Sequence, residues 1–313
     1  MRRHMGLILF LFVPGLLDAQ YGNPSLPYGQ GAYGIQTDAE EAEEGGEQAY
    51  TGWSESKTVT ITGSDSGDAT GYALFLDIDY ATGMDSLFRD LRFSQDGEAL
   101  HFWRESVFKS DSALFWVKVP SIPLGDDVTV TLHYSNDTCA TDISNGDSTF
   151  AFFDDFGDES IDSEKWPTSL ELGQFTENAN GYLEVNHTGM ITMLLQATND
   201  TVHVPIAWKT RINQGTANLA NYRREGIGVS TGYDLGTTQA GTAAYYYNHD
   251  DATWRSDEST SLLAQTDWVP DITFDQWVVL EGKASVDSCY FYQNQAYDLT
   301  HDYSPQNDAD LIP

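Results

Sequence analysis

Basic residues are scarce in this chain. Lys and Arg together number 15 against 48 Asp and Glu, for a formal net charge of -33. Lysine is confined to Lys57, Lys109, Lys118, Lys165, Lys209 and Lys283. A field of that sign repels phosphate backbones and anionic bilayers, which argues against nucleic acid as a partner. An acid-rich, lysine-poor surface suits a protein bathed in concentrated salt, where self-repulsion is screened; ordinary acidic solubility accounts for it equally well. Cysteine is scarce too: Cys139 and Cys289 are the only two. That excludes a disulfide framework, and whether the two pair stays open, because sequence does not supply the Cα spacing a bridge needs.

Other absences narrow the chemistry. No H-E-x-x-H stands among the 7 histidines, which argues against a zinc site. No Glu is followed two positions later by Asp, so the E-x-D-x-x-E pattern that aims paired carboxylates from alternate strand positions into one cleft is missing. A lyase built from Tyr, His and Arg is untouched by that argument. Gly228-Val229-Ser230-Thr231-Gly232 fits the nucleophile-elbow pattern, but the elbow works only on a strand-to-helix turn of an α/β sheet, and no such sheet is visible in the pattern.

Long apolar runs are absent after the first residues. MRRHMGLILFLFVPGLLDAQ carries Arg2 and Arg3, then an apolar stretch from Leu7 to Leu17, then small Ala19. This is the pattern of a signal peptide over residues 1–19, too short for a comfortable membrane span, and it predicts an extracellular or cell-surface protein. Export gives meaning to three N-x-[ST] sequons, at Asn136, Asn186 and Asn199. Residues 20–50 show neither strand nor helix period and read as a flexible acidic linker.

From Trp53 onward, short alternating apolar runs are separated by Gly, Asp, Ser and Pro turns, among them TVTIT, YALFLDID, LFWVKV and VTVTLHY. The pattern predicts an all-β protein, two β-sandwiches in series divided near residue 150. The one helical candidate is Met84–Leu91. Asp90 and Arg92 lie two apart with Glu105 nearby, a spacing expected to give a structural ion pair.

The runs WSESKTVTITGS, DLRFSQDGEALHFWRE, ALFWVKVPSIP and VTLHYSND occur in that order over residues 51–149. Together they resemble the exported archaeal and bacterial family called domain of unknown function 2341, although His133-Tyr134-Ser135-Asn136 departs from its usual Tyr-Tyr-Gly-Asn. In that family, FAFFDDF followed by IDSEKW is similar to the start of a concanavalin A-like jelly roll of the laminin G and glucanase type. The resemblance implies such a domain over residues 150–313. Phe150, Phe152 and Phe156 would then share one strand face with Phe153 on the other, and Trp166 would cap the sandwich edge. It also implies that the jelly roll is incomplete at its C-terminus, leaving the strand at 150–156 unpaired on one side.

Candidate ligand positions follow. Asp154, Asp155 and Asp158 are hard oxygen donors of the kind Ca2+ selects, and related jelly rolls hold a structural Ca2+ near the first strand; a solvated acidic turn is the alternative. Tyr245 and Tyr247, alternating on one strand, join His249 and Trp254 as an aromatic platform for a sugar, against a role in core packing. The expected function is non-catalytic adhesion or binding of a glycan or cell-envelope polymer. A polysaccharide hydrolase or lyase is the alternative, and a structural envelope module without ligand is the third.

Overall fold

The computed structural model describes residues 9–12, 50–63, 67–139 and 141–166, and between residues 168 and 302 the strands named below together with Gly181. The protein is all-β, and every strand pair with a defined register is antiparallel. It divides into two compact units, residues 12–152 and residues 153–313 together with 1–11. The first strand, β1 (Leu9–Phe12), lies in the apolar stretch of the leader-like segment.

Residues 12–152 hold β2 (Glu55–Ile61), β3 (Ala69–Asp79), β4 (Arg92–Gln95), β5 (Glu98–Ala99), β6 (Phe102–Phe108), β7 (Ser112–Ile122) and β8 (Val128–Tyr134). They form two sheets, ordered β2-β8-β4-β5 and β3-β7-β6. Both sheets feed one core that includes Leu74, Phe93, Phe115, Val130 and Leu132. Strand alternation explains why. In β8, Val130, Leu132 and Tyr134 point into the core, while Thr129 and Thr131 occupy the outward positions. The β4–β5 hairpin turns at Asp96-Gly97, both with positive φ (51° and 85°), the dipeptide that a type I′ turn demands.

Met84–Leu91 is not a helix; the segment runs through successive turns. Asp85 accepts hydrogen bonds from the backbone N–H of Leu87 and Arg89, and Asp90 accepts from the N–H of Asp85. Side-chain acceptors thus take donors that a helix would have used, and Phe88 sits at φ 56°, outside helical space. The apolar spacing still serves the core, because Met84, Phe88 and Leu91 are all buried there. The one helix among the described residues is α1 (Gly146–Thr149), capped by the Asn145 side chain accepting from Ser148 N–H at 2.9 Å.

The other unit begins with β9 (Phe152–Asp154), β10 (Thr168–Leu170), β11 (Phe175–Asn178), β12 (Tyr182–Val185) and β13 (Leu194–Gln196). Then come β14 (Ile206–Asn213), β15 (Gly226–Ser230), β16 (Tyr233–Asp234), β17 (Gln239–Ala240), β18 (Ala243–His249), β19 (Thr253–Glu258) and β20 (Gln265–Val269). The last three are β21 (Trp277–Ala284), β22 (Ser288–Gln293) and β23 (Ala296–Asp302). A six-stranded sheet has the order β23-β22-β21-β14-β1-β9, and a four-stranded one β15-β18-β19-β20. β10 with β13, β11 with β12 and β16 with β17 form separate pairs.

The stretch at 150–156 is not one continuous strand. Phe150 precedes β9 and packs edge-on against Trp103 and Trp116, at 5.8 and 5.7 Å between ring centroids. Phe156 lies beyond β9 at φ 51°, because the Asp154 carboxylate accepts the Phe156 N–H at 2.9 Å and turns the chain. Phe153 and Phe156 are both buried, and Phe152 is half-buried. β9 is an end strand of its sheet, with β1 as its neighbour.

Candidate functional site

The three aspartates proposed as calcium ligands have three different surroundings. Asp154 is buried; one carboxylate oxygen accepts the Trp166 indole N–H at 2.6 Å and the other accepts the Phe156 N–H. Burial pushes its carboxyl above the usual range, against the pull of those two donors. Trp166 in turn stacks on Phe156 at 5.9 Å and closes the turn from inside. Asp155 is exposed and accepts from Gly157 N–H. Asp158 accepts from Ser160 N–H and shares a side-chain hydrogen bond with Glu177 on β11.

Glu177 is the residue the sequence reading missed here. Its carboxylate also receives the Ser160 N–H, at 2.9 Å. Burial, then the bond to Asp158, raises its pKa to about 7, while the same bond lowers that of Asp158. The two carboxyls therefore titrate as a coupled pair, with Glu177 the one that keeps its proton to higher pH. Among the described residues no group of three or more His, Cys, Asp or Glu is placed to hold a metal ion.

Asp90 and Arg92 do not pair with each other. Asp90, buried just before β4, accepts the N–H groups of Asp85 and Ser135, tying the 84–91 turns to the end of β8. The buried Arg92 guanidinium donates to the carbonyls of Arg89, Leu91 and Thr141 and to Cys139 Sγ, with the Trp53 ring 5.4 Å from it. Trp53 donates its indole N–H to the Asp90 carbonyl. Glu105 accepts the Trp116 indole N–H at 2.7 Å. Cys139 is free among the described residues, and the Cys289 side chain lies outside them. Ser94 and His133 lie 2.8 Å apart, and burial holds the His133 pKa below its ordinary value.

Of the aromatic platform, the backbone register is described and the side chains lie outside the described residues. Tyr245, Tyr247 and His249 alternate along β18, opposite Asp257, Arg255 and Thr253 of β19. Trp254 stands opposite Asn248, out of phase with those three. Gly228 and Ser230 lie within strand β15, in register with β18 and not on a strand-to-helix turn. Of the sequons, Asn136 opens a turn after β8, where its Oδ1 accepts from both the N–H and the hydroxyl of Thr138. Asn186 and Asn199 lie outside the described residues.

Among the described residues of this unit an exposed aromatic group is assembled elsewhere. Trp277 begins β21, is 38% exposed, and meets the Tyr182 ring of β12 edge-on at 5.7 Å. The Arg211 guanidinium of β14 lies over the Trp277 ring at 5.1 Å from its centroid. The β14–β21 register sets Asn213 opposite Trp277 and Arg211 opposite Val279, so Arg211 and Trp277 share a face. Lys209, two residues back on that face, pairs with Glu281 directly opposite, at 3.7 Å with both side chains buried. An exposed indole with a tyrosine edge-on to it and a guanidinium over one face sets apolar ring surface beside hydrogen-bond donors. Trp277 reads in sequence only as the residue before a late strand, and the scarcity of basic residues is the signal that would have drawn attention to Arg211.

Residues 87–169 match the model of a family described as a domain of unknown function (DUF2341). The matched range starts well inside 51–149 and continues through FAFFDDFGDESIDSEKW. No curated protein and no solved structure matches the chain. Among the described residues no helix is long and apolar enough to cross a membrane.

Proposed function

We propose that this is an exported, non-catalytic surface protein whose C-terminal β unit, read as a concanavalin A-like jelly roll, binds glycan. The observation that carries the proposal is the Trp277–Tyr182–Arg211 group. The indole is partly exposed beside a second ring and a cation, and a pyranose presents the C–H face that such a ring accepts. A structural calcium at the acidic turn belongs to the same reading, although Asp154, Asp155 and Asp158 do not converge on one point among the described residues. The test is retention of the full chain on insoluble polysaccharides. Wild type should be retained and Trp277→Ala should elute freely; equal retention of the two would remove the site from the account.

The alternative, a polysaccharide hydrolase or lyase, draws on Glu177, whose pKa near 7 suits a general acid. Its carboxyl is, however, directly hydrogen-bonded to Asp158, whereas retaining glycosidases hold their two carboxyls about 5 Å apart to admit the sugar carbon. Release of reducing sugar by wild type, abolished in Glu177→Gln, would establish the enzyme instead.

A further inference from the structure

We propose that the face carrying Arg211 and Trp277 recognises a carboxylated sugar, a uronic acid of an acidic polysaccharide. This rests on the glycan-binding reading and names the ligand class for the same site.

The argument begins with how the chain uses its few bases. Arg89 pairs with Asp85, Arg104 with Asp142 and Lys209 with Glu281. Arg92 is taken up by three backbone carbonyls and a thiol, and Lys118 donates to the Ser148 carbonyl. With 48 acidic residues in the sequence, an intramolecular carboxylate is easy to find. Arg211 has none among the described residues: it is exposed, and the contact it makes is with the Trp277 ring. A guanidinium placed over an indole is restrained by the ring, while its N–H donors, which lie in its own plane, stay available. That planar fork matches the two oxygens of a carboxylate.

The neighbours narrow the choice. Lys209 already faces Glu281, so it contributes no second free positive charge on this face. Among the described residues of this face the one uncommitted cation is Arg211, and a single guanidinium fits a singly charged carboxylate better than a phosphate or a cluster of sulfates, which the net charge of -33 would also repel more strongly. The half-exposed Trp277 and the Tyr182 ring against it supply a stacking surface that an acidic peptide would not need. A sugar ring bearing a carboxylate satisfies both features at once.

The experiment is calorimetric titration of the full chain at physiological ionic strength with oligogalacturonate, oligomannuronate and the fully methyl-esterified oligogalacturonate, with poly-glutamate as competitor. Loss of one charge-assisted, bidentate contact corresponds to about tenfold or more in affinity. At least one acidic oligosaccharide should therefore bind better than the ester by that factor. Arg211→Gln should bring the acid down to the level of the ester, and Arg211→Lys should recover only part of the loss. Arg211 is exposed, so these variants are expected to keep the wild-type circular dichroism. Equal binding of acid and ester overturns the carboxylate proposal while leaving glycan binding intact. Failure of both acids to bind, or wild-type affinity in Arg211→Gln, overturns it too. Displacement by poly-glutamate as effective as by the uronates overturns it in favour of an acidic protein ligand. Absence of binding to the ester and to both acids counts against this proposal, whereas the glycan reading falls only if neutral polysaccharides are also ignored.

Discussion

Trp166 donates its indole N–H to the buried carboxylate of Asp154 across 2.6 Å, and this bond closes the acidic turn from the inside. Removing the donor leaves a buried carboxylate oxygen without that partner. Trp166→Phe, which keeps a ring to stack on Phe156, should therefore cost about 1–3 kcal/mol in urea denaturation. A loss of only a few tenths would mean that water reaches Asp154 and that the turn is held by other contacts.

Glu177 gives the stability a definite pH dependence. Its folded pKa, about 7, lies above its ordinary 4.5, so the folded state binds the proton more tightly than the unfolded chain. The contribution is fully present below about pH 4.5 and is lost as pH rises through about 7. Glu177→Gln mimics the protonated form and should flatten the fall in melting temperature between pH 5 and pH 8 expected of wild type. Parallel curves for the two proteins would contradict the assignment of the raised pKa to Glu177.

Arg92 should tolerate no other base. Its guanidinium reaches Arg89, Leu91 and Thr141 carbonyls and Cys139 Sγ from one plane, which a single ammonium cannot do. Arg92→Lys is expected to destabilise the protein by about 2 kcal/mol in equilibrium unfolding, since buried carbonyls lose charged donors. An unchanged unfolding midpoint would show that the lysine satisfies the same acceptors.

Cys139 should react as a thiol. It is free and half-exposed beside Arg92, so iodoacetamide added under native, non-reducing conditions should alkylate it. Mass spectrometry of the digest reads the result directly, and a peptide pair joined through Cys139 and Cys289 would contradict it.

Much of the strand pattern was legible because alternation is a local property. Val128–Tyr134 shows its inward and outward residues in the sequence itself, and Asp96-Gly97 marks its own turn. Two segments misled for a common reason. In Met84–Leu91 the apolar spacing resembles a helix, and in FAFFDDF it resembles a strand, yet Asp85, Asp90 and Asp154 bind backbone N–H groups and bend the chain. Such side-chain-to-backbone bonds leave no period. The Trp277–Arg211 site was illegible for another reason: β14 and β21 are distant in sequence, and only their pairing register brings the two residues onto one face. Glu177 was equally hidden, because its partner Asp158 stands before β10 in the chain and Glu177 stands after it, on β11.

The most direct test of glycan recognition is binding of the labelled full chain to a printed array of neutral and acidic glycans, with Trp277→Ala measured beside it. Defined spots should bind wild type and lose their signal in the variant. An array on which wild type binds nothing, or on which both proteins bind alike, would contradict glycan recognition at Trp277.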